Sequence, residues 1–207
     1  MSISHVASNT ATASSGTTIT LSKPTGAAAG NLLIALFYVQ CDTQPTITPP
    51  AGWTSRGTTT GTQTRAQVFT KIAGDSEPAS YDFTSSLTIV VGSGAISAYA
   101  STLSIVIGDY LFDATATNPG VAPTVTTTIN NAMLFCAFFA IALGSAVTGM
   151  TSRVALNNGV RDIASFDQTI ANAGATGTRT YTGSGSSWTF SLAIEEIALQ
   201  NRIRMMI

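Results

Sequence analysis

Charge is what this 207-residue chain has least of: Asp, Glu, Lys and Arg together make up 9% of it, against about 25% in ordinary soluble domains. Nine basic and ten acidic residues leave a net charge of −1 at pH 7, with no cluster of Lys and Arg. Nucleic acid is excluded as a partner on that ground, because phosphate contacts need concentrated positive charge. Histidine is scarcer still. His5 is the only one, so a catalytic triad would have to be built around a single ring near the N-terminus. On a β-alternating terminal segment it reads as a solvent-facing or interface residue, and hence as a candidate assembly contact. Cys41 and Cys136 are the only cysteines and lack the close paired spacing of metal sites. Both read as free thiols, Cys136 as a small buried hydrophobe.

The carboxylates are thinly spread, and no spacing singles out a hydrolytic pair. Their densest group, Asp75, Glu77 and Asp82 in GDSEPASYD, reads as a turn, with Pro78 where a calcium loop would continue. GAAAG at 26–30 has neither the Lys nor the Ser/Thr of a phosphate loop, and it leads into a strand. The chain therefore reads as a non-enzyme with no cofactor and no metal site. Long apolar runs are missing too. Residues 132–147, AMLFCAFFAIALGSAV, carry no charge but fall short of the ~20 residues a membrane helix needs. They read as a central strand buried on both faces, with no membrane as partner. MSISHVASNTATASS at the start lacks the basic and apolar regions of a secretory signal, so export by that route is not expected.

What is there is β structure. Period-two alternation and β-branched or aromatic residues predict strands over 3–11, 17–21, 32–40, 65–72, 80–83, 95–107, 123–129, 133–143, 152–156, 162–170, 178–181 and 188–197. Pro and Gly punctuate them, and Asn158-Gly159 is the signal of a two-residue type I′ hairpin. The polar stretches 57–64 and 183–187 read as hairpin tips or loops.

The pattern comes twice. GWTSR at 52–56 and GMTSR at 149–153 each follow an apolar run, NLLIALFYVQ from Asn31 and NAMLFCAFFAI from Asn131. Phe69 then matches Phe166, and Phe83 falls near Tyr181. A unit that cannot bury its apolar face alone can bury it against a copy of itself. The fold class expected is all-β: one domain over 1–207, a two-sheet antiparallel β-sandwich, jelly-roll-like, with two pseudo-repeated halves.

Two segments read as assembly contacts, an N-terminal arm over 1–15 and a C-terminal tail over 198–207. The tail brings Arg202 and Arg204 together with Met205, Met206 and Ile207, an apolar and basic end that is poorly solvated alone. Trp53 and Tyr81 are the places where a sugar ring could stack, beside the 57–64 loop, although Trp53 matches Met150 in the second half and so also suits a structural apolar slot.

Taken together, KPTGAAAGNLLIALFYVQ, ITPPAGWTSRG and VFTKIAGDSEPASYDFT resemble a family of β-sandwich proteins found in bacteriophage and prophage structural gene sets. The resemblance covers 20–84, with a looser continuation through RDIASFDQTIANAGATGT to Trp188. That family commonly has Asp after the glycine preceding the first core strand, where Asn31 follows Gly30 here; both residues favour the same turn chemistry. The resemblance implies a virion component assembled in the host cytoplasm. Its expected role is a capsid decoration, or cement, protein that stabilises the shell by noncovalent contacts with a major capsid protein or other virion protein, acting as a homo-oligomer with a trimer favoured. The alternative it implies is a tail-fibre or receptor-binding protein that recognises host surface glycans. It transfers no catalytic residues.

Overall fold

The computed structural model describes residues 3–142, 144, 146–181 and 187–197, and every regular element among them is a β-strand. The first half holds β1 (Ser4–Ala13), β2 (Thr18–Ser22), β3 (Leu32–Gln40), β4 (Ile47–Thr48), β5 (Thr54–Thr60), β6 (Thr64–Ile72), β7 (Ser80–Ser85) and β8 (Val91–Ala100). The second holds β9 (Ser104–Thr117), β10 (Gly120–Ala122), β11 (Thr126–Thr127), β12 (Ala132–Ala140), β13 (Thr151–Leu156), β14 (Asp162–Ile170), β15 (Gly174–Ala175), β16 (Arg179–Tyr181) and β17 (Ser187–Ile197).

Two five-stranded antiparallel sheets form the body, in the orders β1-β8-β3-β6-β5 and β9-β17-β12-β14-β13. Each sheet sets the last strand of its half beside the first and ends on a hairpin, β5–β6 or β13–β14. A small sheet, β2-β7-β4, accompanies the first; the pairs β10–β16 and β11–β15 accompany the second.

The central strands account for the layering. β3 places Leu32, Ile34, Leu36 and Tyr38 on one face and Leu33, Ala35, Phe37 and Val39 on the other. β12 does the same with Met133, Phe135, Ala137 and Phe139 against Leu134, Cys136, Phe138 and Ala140. The first set from each strand meets in a core shared by the two large sheets. The second set of β3 packs with Ile19, Leu21, Tyr81 and Phe83 of the small sheet, and that of β12 packs with Ala122, Val125 and Tyr181. The two-sheet expectation thus holds for the centre of a body that has outer β layers as well. Strands covered on both faces read as continuous apolar runs rather than alternating ones.

The sheets stack with β1 against β13 and β5 against β9. The two matched pentapeptides sit at β-bulges. Register slips between Ser55 and Gly57 in β5 and between Ser152 and Val154 in β13, shortly after glycines with positive φ, Gly52 at 86° and Gly149 at 77°. A bulge re-aims one side chain, here Arg56 and Arg153. Arg56 Nε donates to Thr70 Oγ1 at 2.8 Å, and Arg153 Nε donates to Asp167 Oδ2 at 2.7 Å.

Several local expectations change. Within the N-terminal segment 1–15, the strand expected over 3–11 is found as Ser4–Ala13, paired with β8 as an edge strand. The 57–64 stretch is strand β5 as far as Thr60. Its Gly57 has a tertiary cause, since a Cβ there would stand 2.7 Å from Phe112 Cβ of β9. The single strand expected over 95–107 is two, β8 and β9, parted where Ser101 Oγ accepts the Leu103 N–H at 3.0 Å. Asn158-Gly159 lies in a five-residue connection, 157–161, between β13 and β14. Only Gly159 has positive φ, at 89°, whereas a type I′ turn needs it at both central residues. Asp162 Oδ1 organises the loop instead, accepting the N–H groups of Asn158 at 2.9 Å and Gly159 at 3.1 Å.

Candidate functional site

His5 lies where edge strand β1 meets β13. Its Nε2 is 2.8 Å from Ser8 Oγ, which is 2.8 Å from Ser97 Oγ on β8. The ring packs edge-on against Tyr99, with centroids 5.5 Å apart. Burial lowers the pKa of His5 below the ordinary histidine value, with the Arg153 charge adding to the shift and Asp167 opposing it. A neutral imidazole beside a serine hydroxyl has the pairing of a base and a nucleophile. The third member of such a set is occupied elsewhere: Asp167 Oδ2 accepts the Tyr99 hydroxyl at 3.0 Å and Arg153 Nε at 2.7 Å. Asp167 is 2% exposed, and the Tyr99 hydroxyl reaches it across the interface between the large sheets. This group of residues ties sheet to sheet. Burial first, and then the Asp167 charge and hydrogen bond, raise Tyr99 well above the ordinary tyrosine value.

Trp53 and Tyr81 are not placed to stack on a sugar. Trp53 is 8% exposed, with Tyr81 and Phe83 edge-on to it at 5.2 Å each. Tyr81 is 2% exposed. Sugar stacking needs an open ring face, and these faces are spent on the outer apolar layer of the first half. Around Tyr81 lies a closed polar cluster. Glu77 Oε2 receives Lys71 Nζ and the Tyr81 hydroxyl, each at 2.8 Å, and Oε1 receives the Gly74 N–H at 2.8 Å. Burial opposes ionisation of Glu77, but the hydrogen bonds from Lys71, Gly74 and Tyr81 outweigh it and hold the carboxyl below its ordinary value.

The matching place in the second half is open. Gln168 follows Asp167 on β14 as Lys71 follows Thr70 on β6, where Thr70 pairs with Thr54 and Asp167 with Thr151. Arg179 pairs with Ala122 on β10 as Tyr81 pairs with Leu21 on β2. Gln168 and Arg179, with Val147, Thr148, Thr178 and Thr180, line a cavity of about 370 Å³. Arg179 is held at its rim by four hydrogen bonds. Nε and Nη2 donate to Gln168 Oε1 at 3.1 and 2.8 Å, and Nη1 donates to the Thr176 and Thr178 carbonyls at 2.8 and 3.0 Å. Among the described residues no carboxylate pairs with Arg179; the ion pairs are Lys71–Glu77 and Arg153–Asp167. Sequence reasoning passed over this cavity, because its lining comes from three separate segments. The one available signal was an arginine set among threonines, GTRTYT, in a chain with little charge.

Of the expected assembly contacts, Arg202, Arg204, Met205, Met206 and Ile207 lie outside the described residues. Compared with known proteins, the chain matches no family model, no curated protein and no solved structure.

Proposed function

We propose that this chain is a noncatalytic structural component of a bacteriophage particle, a capsid decoration protein that stiffens the shell through noncovalent contacts. The observation that carries the reading is edge strand β1. Its ten residues, SHVASNTATA, contain no proline and no Lys, Arg, Asp or Glu, and among the described residues no strand pairs with its outer side. Sheets that must stay solitary blunt such edges with Lys, Pro, a bulge or a covering segment; β1 slips register once, between His5 and Ala7, and runs regularly from Ala7 to Ala13. An open edge bordered by Thr, Ala and Asn suits addition of a strand from a neighbouring subunit, and a charge-poor surface lowers the desolvation needed for close packing. The partners in this reading are a major capsid protein and further copies of the chain, as a trimer, in particles assembled in the host cytoplasm.

The finer architecture belongs to the same proposal: two copies of one jelly-roll-like unit packed about an approximate two-fold axis. The matched strand orders, the paired arginine bulges and the reciprocal stacking of first strand on bulged strand support it. So does the use of both bulged arginines across the interface. The Arg56 guanidinium lies 5.3 Å from the Tyr110 ring centroid on β9, and the Arg153 charge acts on His5 of β1. Contacts of the kind i to j and j to i define an isologous pair.

The test is the copy number of this chain in purified particles, by quantitative mass spectrometry against the major shell protein. Stoichiometry near that of the shell is the expected result; a few copies would move the chain to a tail or fibre, and absence would overturn the reading. Thr10→Lys with Thr12→Lys, both at exposed β1 positions, separates the edge from the fold. Particle binding should be lost while stability moves by no more than about 0.5 kcal/mol; binding that survives both charges refutes the edge as the contact.

A further inference from the structure

We propose that the cavity at Arg179 is a binding site for an acidic saccharide, a sugar whose carboxylate pairs with the Arg179 guanidinium. The argument begins with the other half. There the matching position holds a cation, Lys71, and the chain supplies its carboxylate from the loop after β6, Glu77 at 2.8 Å, with Tyr81 closing over both. The corresponding segment after β14, ANAGATGT with β15 inside it, contains no acid. Arg179 faces the cavity in place of the Tyr81 ring, so the second half keeps the positive charge and the space but not the anion.

The donors still available match a carboxylate. A guanidinium has five N–H groups; four of those on Arg179 reach Gln168, Thr176 and Thr178, leaving one on Nη2. The Gln168 amide orients this guanidinium through Oε1, and its Nε2 has no partner among the described residues. Charge-assisted hydrogen bonds of this kind are about twice as strong as neutral ones. The rest of the lining chooses the class of anion. Among the described residues that line the cavity, Thr148, Thr178 and Thr180 are hydroxyl-bearing and Val147 is aliphatic. Hydroxyls that both donate and accept suit a polyol, and a cavity of about 370 Å³ lies within the range of small-ligand sites. The guanidinium is fixed before any ligand arrives, which lowers the entropy lost on binding. This inference is independent of the virion reading, since the cavity and the open edge of β1 are separate parts of the molecule.

Calorimetric titration of the full chain with glucuronate, glucose and acetate tests it. Glucuronate should bind saturably, with glucose and acetate each weaker by roughly tenfold or more, as loss of hydrogen bonds to a charged group requires. Glucose binding equally well would overturn the carboxylate, acetate binding equally well would overturn the saccharide, and no saturable glucuronate binding would overturn the site. Two variants locate it. Arg179→Gln removes the charge; Gln168→Glu keeps an acceptor for Arg179 and supplies the carboxylate from the chain, as Glu77 does for Lys71. Gln168→Glu should retain the wild-type melting temperature while weakening glucuronate roughly tenfold or more; unchanged affinity in that folded variant refutes the assignment.

Discussion

Replacing Asp167 with alanine should loosen the joint between the two large sheets. The carboxylate is 2% exposed and receives both the Arg153 guanidinium and the Tyr99 hydroxyl. Removing one partner of a buried ion pair costs about 3–5 kcal/mol. Arg153 retains 27% exposure and recovers part of its hydration, which brings its share to about 2–3 kcal/mol. The Tyr99 hydroxyl, on a fully buried side chain, is left without an acceptor and adds about 1–2 kcal/mol. A loss of about 3–5 kcal/mol in a chain of this size lowers the melting temperature by roughly 6–20 °C, readable by scanning calorimetry at pH 7. The first half supplies an internal control. There Thr70 takes the position of Asp167 and accepts Arg56 Nε at 2.8 Å, so Asp167→Thr should be about half as damaging as Asp167→Ala. Asp167→Ala within about 1 kcal/mol of wild type, or Asp167→Thr no better than Asp167→Ala, refutes the reasoning.

Alkali should unfold the protein. Burial raises Tyr38, Tyr81, Tyr99 and Tyr181 above their ordinary value. Groups whose folded pKa is raised contribute stability that is complete below the unfolded value, about pH 10, and is lost as pH climbs toward the folded values. Stability should fall progressively above about pH 10, as the unfolded chain ionises phenols that the folded protein keeps protonated. Tyrosinate absorbance should therefore appear together with loss of circular dichroism; four tyrosines ionising near pH 10 in a folded protein would contradict the burial. Gly57→Ala should destabilise by about 1–3 kcal/mol, the usual range for an overpacked site, because the new methyl meets Phe112 at 2.7 Å. Phe112→Ala in the same chain should make that alanine tolerable, and equal damage in both backgrounds would rule out the clash.

How much of this was legible depended on where each cause lies. The strands over 32–40 and 162–170 are found at those bounds, and the double burial of β12 followed from a run too apolar to alternate. GWTSR and GMTSR mark real local features, two bulges. What failed had causes far away in sequence. The 57–64 stretch read as a hairpin tip or loop; the β5–β6 tip does lie at 61–63, but strand β5 runs on to Thr60, and the reason for its Gly57 is a phenylalanine in the other half. Trp53 is the opposite case: its match with Met150 already suited a structural apolar slot, and Tyr81 and Phe83 pack around it there. The Arg179 cavity left only the arginine among threonines in GTRTYT as a local sign, since Thr148, Gln168 and Thr178 are brought together by the fold. Adjacent residues carry turn and strand chemistry; shared cavities and sheet contacts do not show until the layers close.

The proposed two-fold relation of the halves would leave the body almost without a front or a back: turned over, it would offer nearly the same ribbon to whatever lies beneath. Side chains alone would give it polarity. On one outer layer the cation is spoken for by Glu77, and on the other Arg179 still faces a cavity. A neighbour that has to seat on one side and not the other could tell them apart by that single difference, as a key is told from its mirror image by one notch.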